Sequence, residues 1–410
     1  MNDHSLIATI AVGLAAAFVV GTIAHRFGLP PLVGYLLAGI AVGPFTPGFV
    51  ADVKLAPQLA EIGVILLMFG VGMHFSIRDL YEVRAIAVPG ALAQIAAATA
   101  LGIGITALWG WSFGAGLVFG LALSVASTVV LLRTLEARGI LETPVGRITV
   151  GWLIVEDLVM VIALVVLPAL AGPLGAPVVA DRAPGNLWVT LGLTLSKVAL
   201  FVLLILVVGK RVFPWILKHI EATGSRELFT LAVIALSLGV AFGSAESFGV
   251  SFALGAFFAG IVVHESDLSQ RAARELQPLQ DAFAALFFVA VGMLFDPAVL
   301  IRQPLQVLAV VAVIVVGKSL AALAIVLVLR RSWTTALTVS AALAQIGEFS
   351  FILIGLGISL GLAPPESQSL IVAGALLSIA VNPLVYSIAG RWMVKNQAIS
   401  SAGGLGRRRG

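Results

Sequence analysis

The chain has 410 residues, of which 60% are hydrophobic and only 11% are charged, and its mean hydropathy is +1.11. Soluble domains carry roughly 25% charged residues, so this composition excludes an ordinary water-soluble domain and predicts an all-α integral membrane protein. The chain has no cysteine, which excludes disulfide frameworks and cysteine-ligated metals.

Apolar stretches follow one another along the whole chain. A membrane crossing takes about 20 mainly apolar residues, and the first stretch lacks the basic segment that opens a signal peptide. We therefore predict about 13 transmembrane helices, at residues 5–25, 31–45, 59–76, 85–109, 113–132, 146–171, 187–209, 227–245, 248–263, 280–295, 304–329, 334–360 and 367–390.

Basic residues concentrate in alternate loops. When the loops are assigned to opposite membrane faces in turn, 19 of the 24 Lys and Arg residues fall on one face and three on the other. The positive-inside rule then predicts that the N-terminus lies outside and the C-terminus in the cytoplasm, which requires an odd number of crossings. The inner (plasma) membrane is the expected location. The net charge of +4 is explained by topology and anionic lipid, so no nucleic acid partner is expected.

An internal repeat occurs at an almost fixed offset. Residues 71–73 match residues 291–293 at an offset of 220, and residues 38–40 match residues 259–261 at an offset of 221. Because the shift amounts to seven helices, the copies are inverted, as in many secondary transporters. We predict one antiporter-like transmembrane domain, followed by a short basic cytoplasmic tail without a nucleotide-binding domain. The predicted parts are the domain at 1–396, its repeats at about 5–171 and 227–390, the linker helix at about 187–209, and the tail at 397–410.

Few ionisable residues lie inside the predicted spans. Glu156 and Asp157 fall in the sixth span, Lys197 in the seventh, Lys318 in the eleventh and Glu348 in the twelfth. A charge at a helix centre costs at least about 2.5–3.5 kcal/mol unless it is paired or hydrated. These residues are therefore either structural ion pairs or the ligands of a transported ion. Adjacent residues on a helix point about 100° apart, so Glu156 and Asp157 are expected to have different partners.

The fifth and twelfth spans carry polar residues at the same depth. Ser124, Ser127 and Thr128 lie in the fifth span, and Gly347 and Glu348 in the twelfth, at the repeat offset. The hydroxyls either bond back to carbonyls of the preceding helical turn or mark helix interruptions. An interruption exposes carbonyls and helix ends to an ion.

Taken together, these segments resemble the monovalent cation:proton antiporter-2 family, and most of all the YbaL-like branch of its Kef-type potassium:proton members. The resemblance spans nearly the whole chain and rests on Asp157 and on residues 31–39, 43–44, 61–69, 124–132, 253–260, 287–293 and 345–349. It implies a sodium:proton antiporter-like fold with an ion-binding core, a separate dimerisation domain and a homodimer.

The resemblance also implies roles for individual residues. Asp157 is the expected carrier of proton and cation, with Glu156, Ser127 and Thr128 as further ligands of a monovalent cation. Lys318, Glu348 and Gln345 are the expected charge and coupling partners. The loop residues His264, Glu265 and Asp267 are similar to a regulatory loop of Kef-type proteins. The resemblance does not identify the regulatory partner.

These observations predict a secondary antiporter, most simply a K⁺/H⁺ antiporter, in which cation and proton compete for one midplane carboxylate during alternating access. An Na⁺/H⁺ antiporter, a gated potassium efflux pore and a non-transporting sensor are the alternatives. Neither enzyme activity nor a cofactor is expected, because the sequence lacks a nucleophile and base constellation, a phosphate loop and a metal cluster.

Overall fold

The computed structural model describes residues 5–46, 55–74, 77–176 and 187–406, and every regular element in these ranges is helical. The helices are α1 Ser5–Arg26, α2 Pro31–Val42, α3 Ala56–His74, α4 Ile77–Leu108, α5 Phe113–Ser124, α6 Thr128–Ala137, α7 Pro144–Leu170, α8 Leu187–Leu204, α9 Lys210–Glu221, α10 Arg226–Phe248, α11 Phe252–His264, α12 Ser269–Met293, α13 Val299–Arg302, α14 Pro304–Ala312, α15 Lys318–Val328, α16 Trp333–Ala342, α17 Glu348–Ser359 and α18 Glu366–Gly406.

The helices confirm the predicted membrane-spanning stretches. Among the described residues, eight helices are long and apolar enough to cross a membrane, and five shorter apolar helices occupy the remaining predicted stretches. Two crossings contain a π-helical turn, at Ile205–Gly209 between α8 and α9 and at Val313–Gly317 between α14 and α15. Hydropathy does not predict these turns, because they change the hydrogen-bond register without changing the apolar pattern.

The chain divides into two compact units. The first unit comprises Met1–Ile77 and Val161–Pro297, and the second comprises Arg78–Met160 and Ala298–Gly410. Each unit therefore takes segments from both halves of the sequence. Helix α7 contributes its first part to the second unit and its last part to the first.

Glycines in the first unit let helix backbones approach closely. A Cβ atom at Gly39 of α2 would collide with the carbonyl oxygen of Val289 on α12, and a Cβ at Gly260 of α11 would collide with that of Phe69 on α3. Small residues at helix crossings allow such close packing in membranes. The packing of α2 on α12 and of α3 on α11 therefore depends on glycine.

These contacts follow the repeat found in the sequence. Gly39 and Gly260 are 221 residues apart, and their contacts Val289 and Phe69 are 220 apart. Gly292 against the carbonyl of Leu36 and Gly72 against that of Phe257 form the second such pair. Since equivalent residues of the two copies make equivalent contacts, the predicted repeat is confirmed in the packing of the first unit.

Two helical crossings of the second unit are interrupted where the sequence predicts it. Helix α5 ends at Ser124 and α6 begins at Thr128, and the residues between them are not helical. Helix α16 ends at Ala342 and α17 begins at Glu348. The Ser124 hydroxyl does bond back, to the carbonyl of Leu121, whereas the Ser127 hydroxyl caps α6 by accepting a hydrogen bond from the Val130 N–H.

The two interruptions lie against each other at Gly347. A Cβ atom placed there would lie 2.8 Å from the Ser127 backbone nitrogen and closer still to the Ser127 Cα. Only a residue without a side chain fits this contact, because the obstacle is backbone that has no rotamer to change. Gly347 therefore sets the distance between the two breaks.

We expect Gly347→Ala to destabilise the protein by about 1–3 kcal/mol, since overpacking against backbone forces the two breaks apart. Gly355→Ala is the matched control, because Gly355 lies in α17 and a Cβ atom there would meet nothing within 4 Å. The control is expected to be neutral or slightly stabilising. Thermal unfolding of the purified protein in detergent measures both, and an equal melting temperature for the two variants would contradict the tight crossing.

Candidate cation and proton site

The predicted site residues come together at the two helix breaks of the second unit. Helix α6 supplies the hydroxyl of Thr128, α7 supplies two neighbouring carboxylates, α15 supplies an ammonium, and the second break supplies an amide and a carboxylate. All are buried or nearly so: Ser127, Thr128, Glu156, Asp157, Lys318, Gln345 and Glu348. The structure therefore brings the predicted site residues together in one buried cluster.

Asp157 has one bonded and one unbonded carboxylate oxygen. Its Oδ2 accepts a hydrogen bond from the Thr128 hydroxyl at 3.1 Å. Its Oδ1 is buried and has no hydrogen-bond partner among the described residues. The charged groups that act on Asp157 are Glu348 and Glu156, which are both carboxylates. A buried oxygen in this position is suited to hold a proton or to coordinate a cation.

Glu156 faces a different environment from its neighbour, as the 100° rotation between adjacent helical residues predicts. Its Oε2 accepts a hydrogen bond from the Ala126 backbone N–H, in the first break, at 2.8 Å. The ammonium of Lys318 acts on it electrostatically with opposite sign. Glu156 is thus bound to the break and partly compensated by a positive charge.

Lys318 lies at the N-terminal end of α15, directly after a π-helical turn, and is fully buried. Its Nζ donates to the backbone carbonyl of Gln345 at 3.1 Å. Sequence reasoning predicts Asp157 as its partner, and that pairing stays a prediction; the charge of Glu156 also acts on Lys318. The lysine therefore donates a hydrogen bond to the second break and partly compensates the charge of Glu156.

Gln345 joins the two breaks through a pair of hydrogen bonds. Its side-chain oxygen accepts from the Ser127 N–H at 2.9 Å, and its side-chain nitrogen donates to the Ser127 carbonyl at 3.2 Å. This one amide bonds to both polar groups of the Ser127 backbone, and the Ser127 carbonyl also accepts a hydrogen bond from the Leu131 N–H at 3.1 Å. Gln345 therefore holds the crossing together, with both of its polar atoms engaged.

Glu348 is the first residue of α17 and is buried. Its Oε2 accepts a hydrogen bond from the Ser127 hydroxyl at 3.2 Å, while its Oε1 has no partner within the described part of the chain. A helix N-terminus favours negative charge through its unpaired N–H groups. The Ser127 and Thr128 hydroxyls thus hold the carboxylates of Glu348 and Asp157 side by side.

The breaks were expected to expose backbone carbonyls to the ion, yet side chains bind several of them. The Gln94 amide of α4 donates to the Ser124 carbonyl at 3.1 Å, and the Asn382 amide of α18 donates to the Ala341 carbonyl at 2.9 Å. Both amides are buried. Sequence reasoning missed them, although each is a lone amide in an otherwise apolar stretch, which is the signal that identifies them.

The cluster carries more negative than positive charge. Three carboxylates, those of Glu156, Asp157 and Glu348, surround one ammonium, that of Lys318. Unpaired charges are costly in a buried site, so protons or a bound cation have to neutralise the excess. Glu156, Asp157 and Glu348 each have one buried carboxylate oxygen without a partner among the described residues, and such oxygens are hard ligands of the kind that bind alkali cations.

The predicted regulatory loop belongs to the first unit and contacts α3 and α9. The His264 ring bonds to the Met73 carbonyl, Glu265 lies 3.4 Å from the Lys210 ammonium, and Asp267 lies 2.8 Å from that of Lys218. The hydrogen bond from Lys218 lowers the pKa of the Asp267 carboxyl. The loop is thus held by ion pairs that are partly open to solvent, and such pairs are weak and salt-sensitive.

Lys197 is the last of the five ionisable residues considered above as ion pairs or ion ligands. It lies on α8 in the first unit, and its side chain is exposed. Lysine in such a position extends its ammonium toward the membrane surface. It does not belong to the cluster at the breaks.

Comparison with known proteins identifies the family of the chain. The model of the family described as sodium/hydrogen exchanger, transmembrane, matches residues 14–392. The putative cation/proton antiporter YbaL of Escherichia coli (strain K12) is 58% identical over 394 residues, which cover 96% of this chain and 70% of that protein. The K(+) efflux antiporter 4 of Arabidopsis thaliana is 34% identical over 389 residues, 94% of this chain and 64% of its own length.

A solved structure shows the same fold at low sequence identity. The sodium proton antiporter MjNhaP1 from Methanocaldococcus jannaschii aligns with a TM-score of 0.68 and 16% identity, covering 94% of this chain and 98% of the other. The family match and the close relatives together establish a multi-pass membrane protein that exchanges cations for protons. The chain belongs to the sodium/hydrogen exchanger family, within the Kef-type group of the monovalent cation:proton antiporter-2 proteins.

Proposed function

We propose that the chain exchanges K⁺ for H⁺, and that the two compete for Asp157. The observation that carries this proposal is the buried Oδ1 of Asp157, which has no partner among the described residues and lies beside a second carboxylate at the crossing of two helix breaks. A proton on Asp157 removes the charge that attracts the cation. A bound cation in turn disfavours protonation, so one site cannot hold both.

The choice of K⁺ rests on relatives. The plant relative is named a K(+) efflux antiporter, and its match covers 94% of this chain. The solved relative is a sodium proton antiporter, so Na⁺ is the second candidate. Carboxylate and hydroxyl oxygens bind both ions, and a transport assay with each cation decides between them.

Each residue of the cluster has a distinct part in the proposed exchange. Asp157 holds the proton or the cation, and Glu348 supplies a second carboxylate next to it. Thr128 orients Asp157 through its hydroxyl, while Glu156 and Lys318 form the compensated pair that supports the breaks. Alternating access then presents the site to one membrane face at a time.

We further propose that the protein works as a homodimer in a bacterial inner membrane, surrounded by lipid. The family resemblance supports the dimer, and the relative from Escherichia coli supports the bacterial membrane. Large apolar side chains of α8 and its π-helical turn are exposed, including Leu203, Leu204 and Val207. Such a surface is suited to lipid or to a second copy.

Asp157→Asn is expected to abolish cation-dependent proton movement while the protein stays folded. Asparagine keeps the size and can still accept the Thr128 hydrogen bond, but it cannot ionise. Glu156→Gln is expected to reduce cation-dependent proton movement less. Glu156 bonds to the Ala126 N–H, and the side-chain oxygen of glutamine can still accept that hydrogen bond. Purified variants in proteoliposomes that contain a pH-sensitive dye are to be compared with the native protein, with the membrane potential clamped and K⁺, Na⁺ or Li⁺ added in turn.

Normal exchange by Asp157→Asn would remove the proposed mechanism. Complete loss in Glu156→Gln, with Asp157→Asn still active, would show that the carrier is the other residue of the pair. Melting temperatures of both variants separate lost transport from lost folding.

Lys318→Gln is expected to lower the KM for the cation by about three- to tenfold at alkaline pH, because removing a buried positive charge makes the site more attractive to a cation. Glutamine retains an N–H donor for the Gln345 carbonyl. Lys197→Gln is the matched control, since it makes the same charge change at an exposed position outside the cluster. An unchanged KM in a folded Lys318→Gln protein, or an equal change in the control, would count against the electrostatic role.

The orientation is tested by labelling single cysteines, since the native chain has none. Pro173 follows α7 and Thr223 follows α9, and both are exposed. Because the basic loops face the cytoplasm, a membrane-impermeant thiol reagent applied to intact cells is expected to label Pro173→Cys and to spare Thr223→Cys. The reverse pattern would show that the chain is inserted the other way.

A further inference from the structure

Gln94 of α4 bonds to the end of the first half-helix in the site. Its side-chain nitrogen donates to the carbonyl of Ser124, the last residue of α5, at 3.1 Å. Gln94 is fully buried, and its side-chain oxygen has no partner among the residues that the structure describes. A buried amide that uses its donor and leaves its acceptor unbonded is uncommon, since such atoms are costly.

Lys318 makes the equivalent contact at the second break, where its Nζ donates to the Gln345 carbonyl at 3.1 Å. The two carbonyl residues, Ser124 and Gln345, are 221 residues apart, which is the repeat offset. Gln94 and Lys318 are 224 residues apart. This separation exceeds the repeat offset by about one helical turn, so the two residues occupy the same face of equivalent helices. The two donors are thus counterparts in the inverted repeats, one neutral and one charged.

We propose that Gln94 is a positioning residue that determines cation specificity by keeping the Ser124 carbonyl away from the ion. This inference rests on the proposed cation site at Asp157. The last carbonyls of a helix have no partner within the helix and carry partial negative charge. With Gln94 bound to it, the Ser124 carbonyl is engaged in a hydrogen bond and is not a free ligand for the cation.

The Ser124 carbonyl depends on Gln94 for this bond. Across the described ranges, no other donor bonds to it. Without the amide, a carbonyl oxygen beside the first break becomes available as an additional ligand. The number and type of oxygen ligands determine how a site discriminates between K⁺ and Na⁺, so removal of Gln94 changes selectivity as well as affinity.

Asn382 provides a control with the same chemistry at the other break. Its amide donates to the Ala341 carbonyl at 2.9 Å, but that carbonyl also accepts a hydrogen bond from the Ala344 N–H at 3.4 Å. Loss of the Asn382 amide therefore leaves the carbonyl bonded. Asn382→Leu removes a buried amide of similar size without releasing an oxygen.

The test compares Gln94→Met, Gln94→Asn and Asn382→Leu with the native protein and with Asp157→Asn in the proteoliposome assay, using K⁺, Na⁺ and Li⁺. Methionine has the length of glutamine without a donor, and asparagine keeps an amide that is one methylene too short to reach Ser124. We expect both Gln94 variants to change the ratio of the KM values for K⁺ and Na⁺ by about threefold or more. Asn382→Leu is expected to lower the melting temperature and to leave this ratio unchanged.

Several results would overturn the proposal. Equal changes in KM for all three cations, or a lower melting temperature with an unchanged ratio, would show that the amide only stabilises the break. Failure of both Gln94 variants to fold while Asn382→Leu folds would show the same. Normal exchange by Asp157→Asn would instead show that the cation does not bind at Asp157. The assay therefore distinguishes an error in the proposed cation site from an error in the role of Gln94.

Discussion

The site depends on one pair of hydrogen bonds, between the Gln345 side chain and the backbone of Ser127. Each helix break leaves backbone groups without helical partners, and in a membrane interior no water is available to bond them. Because the Gln345 amide of one break bonds to both backbone groups of Ser127 in the other, each break helps to hold the other in place. Gly347 completes the arrangement, since any side chain there would press on Ser127. The crossing is thus a consequence of satisfying the backbone in an apolar medium.

This crossing also explains why carboxylates can be buried beside it. Interrupted helices direct N–H groups and hydroxyls into the space between them, and Ala126, Ser127 and Thr128 each donate to a different carboxylate. These donors reduce the cost of burial without neutralising the charge. Lys318 compensates only part of the excess. The remaining negative charge has to be met by protons or by a cation, which is the condition that an exchanger requires.

The sequence predicts the crossings, the repeat, both interruptions and the members of the cluster. These features can be read from the runs of apolar residues and from the ionisable and polar residues that lie within them. It does not predict partners. Spacing on α7 shows that Glu156 and Asp157 point apart, but only the folded chain shows that Lys318 acts on Glu156. Gln94 and Asn382 escape for another reason: a search for ionisable residues inside the spans passes over neutral amides. The π-helical turn before Lys318 is likewise invisible, since it leaves the apolar pattern unchanged.

The two copies of the repeat are held together differently in the two units. In the first unit, equivalent glycines press on equivalent carbonyls, and this apolar contact is independent of protonation. In the second unit, equivalent positions carry different chemistry: the donor to the first break is the neutral Gln94, and the donor to the second is the charged Lys318. A symmetric pair of ammonium groups would balance two of the three carboxylates and leave one excess negative charge in place of two. Replacing one of them by an amide preserves the hydrogen bond and leaves the excess negative charge that draws the cation in.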